Sequence, residues 1–138
     1  MWVIFGLLSA LFSALMSISI KTGLKEMNPI LSLFTRTFIV TIFCFIASLI
    51  NKSYKDMSKV VMVNWKGILL TSVFTFLTWL FYFLAMKTGS AHKVMALDKL
   101  SIIITIIYMV LFTKESINTS TIIGSILIIL GSIFLLLK

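Results

Sequence analysis

Ala91-His92-Lys93-Val94-Met95-Ala96-Leu97-Asp98-Lys99-Leu100-Ser101 leads directly into an apolar run that continues to Phe112. A run of this kind approaches the ~20 residues a helix needs to cross a bilayer, and that length decides the fold class. Asp98 and Lys99 sit just inside it. Ionisable residues in such a run are costly, so by default they mark a functional site.

The remainder of the chain has the same character. Of its 138 residues, 60% are hydrophobic, 12% are charged and one is proline. A soluble domain of this size has too much surface to cover with so few charges. The apolar residues also form long runs rather than short amphipathic periods. The expected fold is an all-α membrane protein, a five-transmembrane-helix bundle forming one domain over residues 1–138. The formal net charge of +8 does not indicate nucleic acid, because the lysines flank apolar runs instead of lining one polar face. Lysines at membrane boundaries are ordinary interfacial anchors. Cys44 is the single cysteine, so no intramolecular disulfide forms, and one histidine with one distant cysteine makes no metal site. No cofactor is expected. The N-terminus lacks a basic segment ahead of its apolar stretch, and that stretch is long for a cleaved signal, so it is expected to stay as the first membrane helix.

Five helices are expected at about 2–20, 30–50, 67–86, 94–112 and 121–137. Gly6, Ala10, Ser13 and Ser17 share one face of the first, where small residues admit a close neighbour. Gly23 is a candidate C-terminal cap, and Asn28-Pro29 opens the second helix. The second carries Arg36, the only arginine, and a stripe of Thr37, Thr41, Cys44 and Ser48. Asn51–Lys66 is the longest polar connection, with room for a short interfacial helix before Trp65 and Lys66 at the headgroup level. Thr71, Thr75, Thr78 and Tyr82 stripe the third helix, with Trp79 beside them. Lys87-Thr88-Gly89-Ser90 reads as a tight turn. Asp98, Ser101, Thr105 and Tyr108 share a face of the fourth helix, which Lys114-Glu115 closes. Gly124 and Gly131 lie two turns apart on the fifth and suggest close helix packing, within or between chains.

The lysines give no strong orientation. Lys52, Lys55, Lys59, Lys66 and Lys114 lie on the side of the N-terminus; Lys21, Lys25, Lys87, Lys93 and Lys138 lie opposite, with Lys99 nearby. Two readings follow: one fixed orientation set by other features, or dual topology with copies paired antiparallel. The second would reproduce within a homodimer the inverted-repeat logic of many transporters.

Arg36 and Asp98 fall at similar depth, counted from the same side. Pairing them would reduce the insertion cost of both, roughly 2.5–3.5 kcal/mol each at the bilayer centre. The pair either fixes helix packing or lines a polar cavity. Each hydroxyl or small-residue stripe alone is ordinary packing; four together make a hydrated cavity more plausible, with Trp79 and Tyr82 as its aromatic wall. His92 lies in a polar turn, read as a solvated loop residue or, less economically, a proton relay.

Trp79-Leu80-Phe81-Tyr82-Phe83-Leu84-Ala85-Met86, the turn ending in Gly89, Lys93-Val94 and Leu97-Asp98-Lys99-Leu100-Ser101 resemble the EamA domain of the drug/metabolite transporter superfamily. Leu111-Phe112-Thr113-Lys114-Glu115, Ile123-Gly124 and Leu130-Gly131 resemble its closing pattern, and Arg36-Thr37 fits as well. Most members are similar to a fused pair of such domains with inverted halves; this chain resembles a single half. The resemblance implies a multi-pass protein of a bacterial cytoplasmic membrane that transports, and more specifically exports, a small organic metabolite by alternating access. It would act in the lipid bilayer as a homodimer or with a second half-transporter chain. Many relatives carry a proline before the Asp-Lys pair, where this chain has Met95-Ala96-Leu97, which weakens the expectation of a break in the fourth helix. The intramembrane glutamate of the small multidrug-resistance branch is absent from the first helix, which argues against multidrug-cation antiport of that type. In the transporter reading Arg36, Asp98, Lys99 and Ser101 meet polar groups of the substrate, and Trp79 and Tyr82 pack on its apolar part. The rival is a non-transporting or obligate heteromeric subunit, such as half of a lipid-carrier flippase. An intramembrane enzyme is disfavoured, since no carboxylate pair, Ser–Lys pair or histidine–metal cluster falls at matching depth.

Overall fold

In the computed structural model, residues 1–23, 27–113 and 118–137 are described, and every regular element among them is helical. The elements are α1 (Trp2–Gly23), α2 (Pro29–Ile50), a 3₁₀ turn (Ser53–Asp56), α3 (Met57–Thr88), α4 (Ala91–Asp98), α5 (Ser101–Tyr108), a π-helical turn (Met109–Thr113) and α6 (Thr119–Leu136). Among the described residues, five stretches are long and apolar enough to cross a membrane: Trp2–Gly23, Pro29–Ile50, Ser53–Thr88, Ala91–Phe112 and Thr119–Leu136. Hydrocarbon offers no hydrogen-bond partner, so each span must satisfy its own backbone, and the α-helix does that within one segment. Lys25, Lys114, Glu115 and Lys138 of the topology and helix-closing readings lie outside the described residues.

Local chemistry sets the helix ends. The Asn28 side chain accepts a hydrogen bond from the Ile30 N–H at 3.0 Å, and Pro29 occupies the first helical position, where its missing N–H costs nothing. Gly23 is not the left-handed cap expected of it: α1 runs through it, and no described glycine has positive φ. The left-handed residue is instead Lys52, at φ 56°, just past the end of α2. Its N–H closes on the Leu49 carbonyl at 3.2 Å, which stops the helix and starts the 3₁₀ turn.

The third span was expected from about Gly67, after a connection with room for a short interfacial helix, and Met57–Thr88 holds two helical stretches that meet at a kink at Asn64 (φ −121°, ψ 19°). The part after Asn64, residues 65–88, reaches about 36 Å, enough to cross a hydrocarbon core of about 30 Å. Asn64 is where the chain changes direction. The fourth span begins at Ala91 and does not run as one α-helix. Leu100 N–H reaches Leu97 at 3.0 Å, Ile102 reaches Lys99 at 3.2 Å and Ile103 reaches Leu100 at 3.1 Å. These i to i−3 bonds tighten one turn immediately after Asp98 without any proline. The π-helical turn then widens the other end of the span, where the Tyr108 and Phe112 rings stack at 4.7 Å.

The chain forms two compact units, Met1–Ile18 with Thr88–Lys138 and Ser19–Lys87. In the first, α4 packs on α6, burying Val94, Ala96 and Ser132, and the Lys93 ammonium donates to the Leu136 carbonyl at 3.3 Å. In the second, Ile20, Leu33, Phe83 and Met86 are buried, and Lys21 donates to the Met86 carbonyl at 2.9 Å. Both lysines thus satisfy carbonyls in the last turn of a helix, where positive charge is favoured. Most other apolar side chains point outward, as expected where lipid is the solvent. Close packing at Gly6, Gly124 and Gly131 is not found among the described residues. A Cβ at Gly6, Gly124 or Gly131 would meet nothing within 4 Å among the described residues.

A left-handed lysine carries a steric cost that glycine avoids. Lys52→Gly should therefore raise the unfolding free energy by up to about 1 kcal/mol and Lys52→Val should lower it. Thermal melts of the purified chain in one detergent check both.

Candidate functional site: a hydroxyl-lined cleft beside Arg36

Arg36 lies seven residues past Pro29, about 10 Å along the axis of α2 and therefore inside the membrane span. Its guanidinium carbon sits 4.4 Å from the ring centre of Trp79 and 5.7 Å from that of Phe83, both on α3. Stacking of this kind returns roughly 1–2 kcal/mol when desolvated, against the roughly 2.5–3.5 kcal/mol that an arginine costs at the bilayer centre. Tyr82, three residues beyond Trp79, is within electrostatic reach of the same guanidinium. The structure thus brings Arg36, Trp79 and Tyr82 of the expected site together within the Ser19–Lys87 unit.

Trp79 also forms one end of a cleft of about 330 Å³ between α2 and α3. Leu33 and Thr37 line it from α2; Thr71, Ser72, Thr75, Phe76 and Trp79 line it from α3. The volume is at the lower end of small-molecule sites. A second, more apolar hollow of about 210 Å³, formed by Ile30, Leu33, Phe34, Thr37 and Phe76, adjoins it and shares three of its residues. The cleft is open: Thr71, Ser72, Thr75 and Phe76 are exposed, while Leu33 forms its buried floor.

Three of the four cleft hydroxyls have a definite polarity. Thr37 donates to the Leu33 carbonyl at 2.8 Å, Ser72 to that of Ile68 at 2.7 Å, and Thr71 to those of Gly67 and Ile68 at 2.9 and 3.0 Å. Their protons are held by their own helices, leaving oxygen lone pairs to accept from whatever enters. The opposite polarity is concentrated at Arg36, which has donors only.

Asp98, Lys99 and Ser101 belong to the other unit and surround the tightened turn between α4 and α5. The Lys99 ammonium is 3.9 Å from the Asp98 carboxylate, with side-chain exposures of 53% and 46%. An ion pair this open holds little on its own. Ser101 opens α5, and its carbonyl accepts from the Thr105 hydroxyl at 3.0 Å. Arg36 and Asp98 therefore stand in different units, and their pairing stays an expectation from sequence. Thr41, Cys44, Ser48 and Thr78 of the hydroxyl stripes do not line the cleft. Leu33, Ser72, Phe76 and Phe83 were not singled out by sequence. Their signal was present, since Ser72 and Phe76 lie one residue beyond Thr71 and Thr75, and Phe83 lies one turn beyond Trp79.

A hydrated cleft makes a specific difference to thiol chemistry, which needs the thiolate and hence water. With Cys44 replaced by serine, Thr75→Cys should react with a membrane-impermeant maleimide at least about tenfold faster than Phe74→Cys, whose side chain is 58% exposed but outside the cleft. Equal rates in intact membranes would mean the cleft excludes water.

The sequence profile of the EamA-like transporter family matches residues 1–137. A relative from Sinorhizobium sp, described as an uncharacterized transporter in the cobO 3'region, is 35% identical over 136 residues. The match takes in 97% of this chain and 95% of that one. No solved structure matches. Five spanning helices, and agreement with the family over nearly the whole sequence, lead to one conclusion: the chain belongs to the EamA-like transporter family.

Proposed function

We propose that this membrane transporter moves a small organic metabolite outward across a bacterial cytoplasmic membrane by alternating access, with the α2–α3 cleft as its substrate site. The observation that carries the reading is the Arg36 guanidinium stacked on Trp79 at the end of a hydroxyl-lined hollow at membrane depth. A cation held in place by an aromatic face is oriented before substrate arrives, which reduces the ordering cost of binding. Trp79 and Tyr82 supply apolar contact, and Arg36 the charge. Asp98, Lys99 and Ser101, grouped at the tightened turn after α4, form a second polar locus in the same transport cycle. A turn that already departs from regular α-helix geometry is a place where a span can bend between two states.

In this reading Arg36→Ala abolishes flux in proteoliposomes while the protein still inserts and elutes as the parent does, and Arg36→Lys retains only a minor fraction, because an ammonium does not reproduce the planar stack. Full flux in a well-inserted Arg36→Ala variant would remove the cleft as the substrate site.

The cleft is open along α3, with Thr71, Ser72 and Thr75 exposed, which favours a second chain as part of the working unit. We take that chain to be another copy, paired antiparallel. A reporter fused to the C-terminus should then be found on both faces of the membrane in intact cells. A single orientation combined with no flux from the purified chain supports instead an obligate heteromeric half.

A further inference from the structure

We infer that the cleft selects a carboxylate, or a similar compact anion, whose chain carries a hydrogen-bond donor some way from the charge. The inference rests on the cleft being the substrate site and adds the chemical class of what it takes. Three observations support it.

The first is the sign of the charge. Within Ser19–Lys87 the only acidic residues in the sequence are Glu26 and Asp56, and Asp56 lies in the 3₁₀ turn, 3.6 Å from Lys59. None of the cleft residues is acidic, and the ionised group beside the cleft is Arg36. The face of Trp79, which would otherwise suit a cationic headgroup, is already covered by that guanidinium. A cation therefore meets no carboxylate among the cleft residues, and the guanidinium competes with it for Trp79.

The second is the hydrogen-bond polarity described above. Because Thr37, Thr71 and Ser72 donate to their own helices, their oxygens present lone pairs. Those three oxygens receive donors, and a plain alkyl chain laid along them leaves them without a partner. The third is spacing. Ser72 and Thr71 lie seven and eight residues before Trp79, about 10 and 12 Å along the helix axis. A ligand anchored by its anion at Arg36 therefore reaches the acceptor wall with a donor several carbon atoms away. Leu33 and Phe76, shared by the cleft and the apolar hollow, offer the intervening methylenes their contact.

The test uses three probes that differ in one feature each: hexanoate, 6-hydroxyhexanoate and hexyltrimethylammonium. With Trp2→Phe and Trp65→Phe in place, Trp79 is the sole tryptophan, and its fluorescence reports the cleft in the purified full chain. The expected result is saturable binding of 6-hydroxyhexanoate about fivefold tighter than hexanoate, the size of one net hydrogen bond, and no response to the cation. Combining Thr71→Val with Ser72→Ala should bring the preference below about twofold by weakening 6-hydroxyhexanoate and not hexanoate. A global packing defect would instead weaken both acids alike. Equal affinity for the two acids overturns the inference, as does tighter binding of the cation or the absence of a saturable response to any probe. Arg36-dependent flux of some other solute alongside such a failure leaves the transport reading standing. Saturable, donor-selective binding in a chain that moves nothing in liposomes keeps the class and refutes transport by this chain alone.

Discussion

Hydrocarbon supplies no hydrogen-bond partner, and that single constraint accounts for most of what this chain does locally. It makes every described regular element helical. It also explains the side chains. Thr35, Thr37, Thr41, Thr71, Ser72, Thr105 and Ser125 each donate to a carbonyl one turn earlier on their own helix. In water such hydroxyls would be solvated; in a bilayer the nearest acceptor is the preceding turn. The same pressure draws the ammonium groups of Lys21 and Lys93 onto the terminal carbonyls of α3 and α6. These carbonyls have no partner within their own helices.

That constraint also gives the cleft its chemical character. A hydroxyl is normally ambivalent, able to donate or accept. Once its proton is fixed on the backbone it is an acceptor only. A wall of such groups facing a guanidinium separates donor and acceptor character along the α2–α3 cleft, although none of the wall residues is charged. The hydroxyl stripe, which in any one helix is ordinary packing chemistry, becomes directional when it is placed beside Arg36.

How much of this could be read from the residues depends on the range of the interaction. The spans were legible because each is a run of some twenty apolar residues, and run length is local information. Asn28-Pro29 was legible as a helix start for the same reason. The end of α2 was not, because the left-handed position fell on Lys52, whose side chain does not advertise it, rather than on Gly23. The helix ahead of the third span was legible only as room within Asn51–Lys66, where Val60, Val61, Met62 and Val63 follow the lysines, and the kink at Asn64 is a backbone feature that no residue there announces. Arg36, Trp79 and Tyr82 were picked out as rare or aromatic residues at matched depth, and they do lie together. The neighbours that complete the cleft, Leu33, Ser72 and Phe76, are commonplace residues whose position depends on how α2 faces α3. The tightened turn after Asp98 was unexpected because proline, the usual local cause, is absent there; the i to i−3 bonds of Leu100, Ile102 and Ile103 are visible only in the backbone.

The two lysine bonds have a bearing on how the protein is made. Lys21 finds its acceptor 65 residues further along the chain and Lys93 finds its acceptor 43 residues further. During synthesis neither partner exists when the lysine first reaches the membrane. Each ammonium must wait at the headgroup level while the spans behind it are threaded in, and it leaves that level only when the end of α3 or α6 arrives. Lys93 is last, since its acceptor, Leu136, lies at the very end of the final span. The charges that hold these helix ends in the finished protein are thus the same ones exposed to the insertion machinery and to the lipid surface while orientation is still being decided.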